Sequence, residues 1–307
     1  MFASLRALLT GIVDYAGLFP PAKLPLDQAI RNYARYRQEA DAWMLGRFVI
    51  PAARLGELAL YHAELFASGS PFAFSVLGRG GATAPEFLGG LESDLRDIAA
   101  FRTRHGDRVA VEVLETRLPE DVNLQEIADR TEAAGLFLVC EASGREERLL
   151  DMLAQVQSYP AWREPGVGVG FKLRCGGPEA SAFPSSEQIA SLLNSCLDDQ
   201  VPFKATAGLH HPLSHFDPVL KVRMHGFVNL FLAGILAQSR NLITKRIVQI
   251  LEEDRPEHFS FDDEGASWRD EWVSTEEIGA ARRDVMLSFG SCSFDEPRED
   301  LRSLGWL

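Results

Sequence analysis

The chain has 307 residues, of which 46% are hydrophobic and 24% charged. That composition suits a large buried core and excludes a disordered or fibrous protein. With 31 Lys and Arg against 44 Asp and Glu, the formal charge is −13, which argues against nucleic acid or an anionic membrane as partners and means that an anionic ligand must meet a local group of cations.

The first nineteen residues contain a short apolar run that Asp14 interrupts, with no small-residue cleavage pattern behind it. They read as a first strand rather than a targeting segment. Beyond them, short apolar or alternating runs are followed by Gly, Pro or polar breaks and then by ten to twenty residues of helical pattern, the sign of βα units on a parallel sheet. The expected strands are 11–15, 44–50, 72–77, 108–114, 136–141, 167–174 and 201–207, with 258–262 as the eighth. Helices are expected over 26–40, 54–66, 85–104, 124–134, 145–156 and 186–197, within 218–238, and over 242–253 and 275–283. Ser185 and Ser274, each followed closely by Glu, mark two helix starts. The apolar stretch 227–237 is too short to span a membrane and reads as a buried helix.

Eight such units without a linker, a GxGxxG or a P-loop favour an α/β fold of the (β/α)8 TIM-barrel class over an open doubly wound sheet. Residues 1–307 then form one domain, with 239–307 as a C-terminal extension that takes in the last βα unit. The acidic stretch 252–277 is either a solvated surface segment or a lid over the mouth. The four cysteines, Cys140, Cys175, Cys196 and Cys292, form no CxxC pair, which fits a reduced cytoplasm.

Strand alternation then sorts side chains into those facing the helices and those facing the barrel axis. In 167–174 the bulky face is Val167, Val169, Phe171 and Leu173, which sends Lys172 and Arg174 inward. In 201–208 the same logic sends Lys204 and Thr206 inward, and in 108–115 the shared face of the valines sends Glu112 inward. Asp14, Arg47 and Glu141 are candidates to join them. An isolated charge in a dry interior costs several kcal/mol, so these groups need ionic partners or a ligand. The cations fall at the C-terminal ends of their strands, where barrel enzymes place their chemistry.

After Arg174 comes Cys175-Gly176-Gly177-Pro178, and after Thr206 comes Ala207-Gly208-Leu209-His210-His211-Pro212. Gly176, Gly177 and Gly208 suit either ordinary turn chemistry or backbone N–H donors aimed at a phosphate or carboxylate. His210 and His211 suit proton transfer or substrate binding, with a divalent metal as a lesser alternative because no HxxxH or HExxH spacing accompanies them. Cys175, beside two cations, is either a reactive thiolate or a small buried residue. The run 288–297, rich in small and aromatic residues, suits closing the barrel or covering its mouth.

Over about 45 residues the consecutive strands ending Phe171-Lys172-Leu173-Arg174-Cys175-Gly176-Gly177 and Phe203-Lys204-Ala205-Thr206-Ala207-Gly208 resemble the paired lysine strands of class I aldolase barrels, particularly the deoxyribose-phosphate aldolase family. The resemblance implies a Schiff base at Lys172, with Lys204 lowering its pKa and the Gly-rich turns holding phosphate. Arg174, the His210-His211-Pro212 continuation and the C-terminal extension depart from that family's pattern.

The combined expectation is a cytoplasmic barrel enzyme, a lyase of aldolase type without a cofactor, acting on a small phosphorylated or carboxylated carbonyl metabolite. Lys172, Lys204, Glu112 and His210 are its candidate catalytic groups. Arg174, Gly176, Gly177, Thr206, Gly208, His211, Asp14, Arg47 and Glu141 are its candidate binding groups. A cofactor-free isomerase or decarboxylase, a metal-dependent hydrolase using His210 and His211, and a non-catalytic anion-binding or scaffold barrel stay open, as does a homo-oligomer.

Overall fold

A computed structural model of the chain describes residues 1–66, 69–142, 146–159, 162–164 and 166–307. Its strands are β1 (Val13–Tyr15), β2 (Leu45–Pro51), β3 (Phe72–Leu77), β4 (Val109–Thr116), β5 (Phe137–Ala142), β6 (Trp162–Glu164), β7 (Val167–Arg174), β8 (Phe203–Thr206), β9 (His215–Asp217), β10 (Val222–Met224), β11 (Phe259–Phe261), β12 (Gly265–Trp268), β13 (Glu271–Ser274) and β14 (Met286–Ser291). The main sheet runs β5-β4-β3-β2-β1-β14-β8-β7 and closes through a β5–β7 pairing, all parallel. Short β6 adds an antiparallel edge to β7. The fold is therefore a (β/α)8 TIM barrel.

The helices are α1 (Ala3–Leu9), α2 (Leu26–Tyr36), α3 (His62–Leu65), α4 (Ala84–His105), α5 (Leu124–Ala133), α6 (Glu146–Gln157), α7 (Ser186–Asp198), α8 (Phe227–Arg240), α9 (Thr244–Leu251), α10 (Thr275–Asp284) and α11 (Asp295–Ser303). Reciprocal capping boxes start α7, where Ser185 pairs with Gln188, and α10, where Ser274 pairs with Glu277. The expected helix at 145–156 is α6, although Arg145 lies outside the described residues. Most of the expected 54–66 helix is a 3-10 turn, Ala52–Tyr61. Among the described residues no helix is long and apolar enough to cross a membrane.

Three expectations change. The eighth barrel strand is β14, between β1 and β8, rather than 258–262. Residues 259–274 form a three-stranded antiparallel sheet packed against α1, α8 and α10, and none of residues 252–277 is among the described residues that line the mouth cavity. The segment misled because 258–262 has a strand-like pattern, while the run 286–291 mixes Ser and Gly into its strand. Finally, the N-terminus opens with helix α1 before β1 begins.

Helix α8 shows how the core fixes the mouth. Every residue from Phe227 to Ala237 is buried, and Phe227 stacks on Phe289 of β14 with ring centroids 5.0 Å apart. Within this apolar cylinder Asn229 is buried but fully used. Its Oδ1 accepts from the Ser214 backbone N–H at 2.9 Å, and its Nδ2 donates to the carbonyls of Ile250 at 2.7 Å and Glu253 at 2.8 Å. One amide thereby ties the long β8–α8 loop, which carries the β9–β10 hairpin, to the end of α9.

Replacing Asn229 with Ala strands one buried donor and two carbonyls, and should lower unfolding free energy by about 2–4 kcal/mol in urea titrations. A loss below about 1 kcal/mol would show that these groups find other partners.

Candidate active site

Strand register builds the site. Glu141 of β5 lies opposite Lys172 of β7, Lys172 lies opposite Lys204 of β8, and Lys204 lies opposite Ser288 of β14. Four polar side chains thus form one row across adjacent strands, with Glu141 and Lys172 near the C-terminal ends of theirs, the end where barrel enzymes place their chemistry. The inward direction expected for Lys172 and Lys204 is observed, with 4% and 3% of each residue exposed.

The carboxylate that joins them is Glu115, not Glu112. Between Phe74↔Val111 and Ser75↔Val113 the β3–β4 register shifts, so one step on β3 spans two on β4 and Glu112 is the extra residue. Alternation therefore changes phase. Val113 turns inward onto Phe137 and Val139, and Glu115 follows it. Glu112 does not join the lysines: its side chain is 57% exposed and pairs with Arg47 at 3.0 Å. Neither Arg47 nor Glu112 lines the mouth cavity, which removes both from the site core.

Glu115 bridges the lysines. Lys172 Nζ donates to Glu115 Oε2 at 2.5 Å and is 2.8 Å from Glu141 Oε2, while Lys204 Nζ donates to Glu115 Oε1 and to Asp14 Oδ2, each at 2.6 Å. Ser75 Oγ donates to Glu115 Oε1 at 2.5 Å, and Ser288 Oγ donates to Asp14 Oδ2 at 2.7 Å. The other Asp14 oxygen accepts the Arg47 backbone N–H at 2.7 Å. The result is a chain of alternating charge, Asp14, Lys204, Glu115, Lys172, Glu141, with Arg117 2.7 Å and Arg174 3.8 Å from the last carboxylate.

Burial alone would lower the Lys172 pKa, yet Glu115 and Glu141 overcome it and the net shift is upward. Burial likewise opposes ionisation of Glu115, and the two ammonium groups reverse it, holding the carboxyl well below its ordinary range. Glu141 is held low by Lys172 and Arg117 against the same burial cost. Cys175 is fully buried and its thiol is pushed up to about 12 by desolvation, so it is the inert, packed alternative rather than a thiolate.

A cavity of about 590 Å³ reaches this chain from the mouth. Lys172, Glu115, Glu141, Arg174 and Thr206 contribute to its wall, as do Gly177, Gly208 and His210. Asp14 and Lys204 lie behind that surface, and Gly176 and His211 are not part of it. His210 Nδ1 is 2.9 Å from Glu296 Oε2, and His211 Nδ1 is 2.5 Å from Asp300 Oδ2, so α11 engages both histidines. Among the described residues no three His, Cys, Asp or Glu side chains converge to hold a metal ion.

The glycines serve loop packing. A Cβ on Gly176 would stand 2.7 Å from Gly208 Cα, and one on Gly208, whose φ is +71°, would stand 2.7 Å from the Cys175 carbonyl oxygen. The two strand-end turns can touch backbone to backbone only without side chains.

Glu115, Ser75, Ser288 and Arg117 escaped the sequence reading. Unbroken alternation in 108–115 puts Glu115 on the face of the valines, whereas the bulge turns it to the axis. Charge balance is the available signal: three inward cations, Lys172, Arg174 and Lys204, call for several acids within reach, and Glu115 is the next acid along the strand from Glu112. A second groove of about 690 Å³ shares Glu115 and Glu141 and runs along Gly78–Ala82 and Thr116–Asp121. Its cations include Arg117, paired with Glu141, and Arg79, paired with Asp94 and Asp97.

The chain is thus a (β/α)8 barrel with a buried ionic chain that opens to a cavity. No protein-family model and no curated protein sequence matches it.

Removing the bridge by Glu115→Gln should cost about 3–5 kcal/mol, since it leaves two buried ammonium groups undercompensated. Glu115 and Glu141 have lowered folded pKa values, so their stabilisation is complete above the ordinary value of 4.5 and is lost as pH falls below it. Lys172 has a raised folded pKa, so its contribution is complete below the ordinary 10.5 and is lost as pH rises through the higher folded value. Denaturant melts across pH should show a plateau between those limits, with a shallower acid limb in the Gln variant. An unchanged acid limb would deny Glu115 this role.

Proposed function

We propose that the protein is an enzyme of aldolase type that cleaves or forms a carbon–carbon bond in a small anionic carbonyl compound through an imine at Lys172. The observation that carries this reading is that Lys172 presents its amine at the cavity floor with carboxylate oxygens 2.5 and 2.8 Å away. An amine must shed its proton before it attacks a carbonyl, and a neighbouring carboxylate is the nearest acceptor.

In the cleavage direction the neutral Lys172 Nζ attacks the substrate carbonyl carbon, and loss of water gives an iminium. Glu141, 13% exposed in its side chain and lining the cavity, removes the proton of the substrate hydroxyl. The C–C electron pair then passes into the iminium to leave an aldehyde and an enamine. Protonation at carbon and hydrolysis release the second product and restore the amine. Arg174, with its side chain 37% exposed at the cavity wall, suits the anionic group of the substrate. Lys204, one strand away and held by Asp14 and Glu115, contributes a fixed positive charge behind the floor.

A second reading has its own observation. The upward shift of Lys172 favours an ammonium in the resting protein, and an ammonium stabilises a developing oxyanion without bonding to carbon. A cofactor-free isomerase or decarboxylase would use Lys172 and Arg174 in this way.

Borohydride reduction in the presence of 2-oxo acids and aldehydes separates the two. The imine route predicts a stable adduct on Lys172 by mass spectrometry, none in Lys172→Met, and a rate that climbs about tenfold per pH unit below the lysine pKa. No adduct, together with a rate that falls as Lys172 loses its proton, selects the oxyanion route.

A further inference from the structure

Resting on the reading of this cavity as a carbonyl site, the geometry points, we infer, to a substrate that is a 2-oxo monocarboxylate with an apolar alkyl or aryl substituent, rather than a phosphorylated sugar. Three observations carry it.

The first is the supply of cations. Lys172 is already held by two carboxylates, and Lys204 by two. Among the described lining residues, Arg174 is the cation with capacity to spare: its Nη1 is 3.8 Å from Glu141, beyond hydrogen-bond distance, and its side chain is 37% exposed. The lining charges Lys172, Arg174, Glu115 and Glu141 sum to zero. One guanidinium suits one carboxylate in a bidentate pair, whereas a phosphate dianion beside Glu115 and Glu141 would find no second free cation among the described residues that line this cavity.

The second is the use of the glycines. The phosphate expectation for Gly176 and Gly208 depended on backbone donors aimed at a ligand, but these residues are glycine because their turns pack on each other. The feature that suggested a phosphate cradle has a different cause.

The third is the wall. Above the charged floor the cavity is mostly apolar, with Phe19, Pro21, Phe183, Leu209, Met224 and Cys292 drawn from four separate loops. Phe19, Phe183 and Met224 are only partly buried, so their remaining surface faces solvent until a ligand covers it. A hydroxylated, phosphorylated chain would waste that surface, while an alkyl or phenyl group buries it at roughly tenfold or more in affinity. The substrate then lies with its carboxylate toward Arg174, its carbonyl at Lys172 and its substituent under Phe19 and Phe183. For cleavage it is a 4-hydroxy-2-oxo acid with the apolar group on C4. The bond broken is C3–C4, C4 leaves as an apolar aldehyde, and its hydroxyl proton goes to Glu141.

Calorimetric titration of the full-length protein with pyruvate, 4-methyl-2-oxopentanoate, phenylpyruvate, phenylacetaldehyde and glyceraldehyde 3-phosphate tests the assignment. Phenylpyruvate and 4-methyl-2-oxopentanoate should bind about tenfold tighter than pyruvate, Phe183→Ala should erase that margin, and Arg174→Met should weaken the oxo acids while leaving phenylacetaldehyde unaffected. Equal binding of pyruvate and phenylpyruvate, or tighter binding of glyceraldehyde 3-phosphate, would overturn it. Borohydride on the same samples keeps the two proposals apart. Tight phenylpyruvate binding without an adduct upholds the substrate class and removes the imine, whereas an adduct formed with glyceraldehyde 3-phosphate and with neither apolar oxo acid does the reverse.

Discussion

Two ammonium groups share one buried carboxylate at the centre of this barrel, and much of the remaining architecture follows from the need to satisfy them. Taking an ion out of water costs several kcal/mol, and a buried pair recovers that only with good geometry and with its remaining lone pairs and protons used. Glu115 meets the condition by giving one oxygen to Lys172 and the other to Lys204, the latter oxygen also accepting from Ser75. Asp14 meets it through Lys204, Ser288 and the Arg47 backbone. The partners come from β1, β2, β3, β4, β5, β7, β8 and β14, so the ionic chain is satisfied only when the barrel is closed.

That dependence explains why a small irregularity matters. Without the extra residue at Glu112, β4 would keep its phase, Glu115 would face the helices, and the lysines would have only Asp14 and Glu141. The bulge turns a strand that begins as an ordinary Val-rich element into one that delivers an acid to the axis. Glu112 itself, 57% exposed in its side chain, pairs with Arg47 under solvent screening.

What the sequence made legible divides along the same line. Period-two alternation in 167–174 and 203–206 was unbroken, and both lysines and Arg174 were placed correctly from it. Capping serines and the all-apolar 227–237 run were also local signals, and α7, α10 and α8 follow them. The failures are non-local. A bulge shows only against its neighbouring strand, and the identity of the eighth strand depends on which run lies beside β1 and β8 rather than on which has the stronger pattern. The histidine pair reads as a reactive motif in isolation, yet each ring is engaged by an acid of α11, some 90 residues downstream by sequence.

The glycines mark a limit of motif reading in barrels generally. A Gly-containing turn at a strand end is compatible with a ligand phosphate or with a neighbouring turn, and both demand the same absence of a side chain. Here the neighbour occupies the space, since Gly176 and Gly208 meet across adjacent strand ends. Beside that backbone contact the cavity offers side chains: the part-exposed Arg174 guanidinium, an ionic floor and an apolar rim. The overall charge of −13 then has a local counterpart. The cavity is not a basic patch that overcomes an acidic exterior but a nearly neutral one, in which the charges of Lys172 and Arg174 balance those of Glu115 and Glu141.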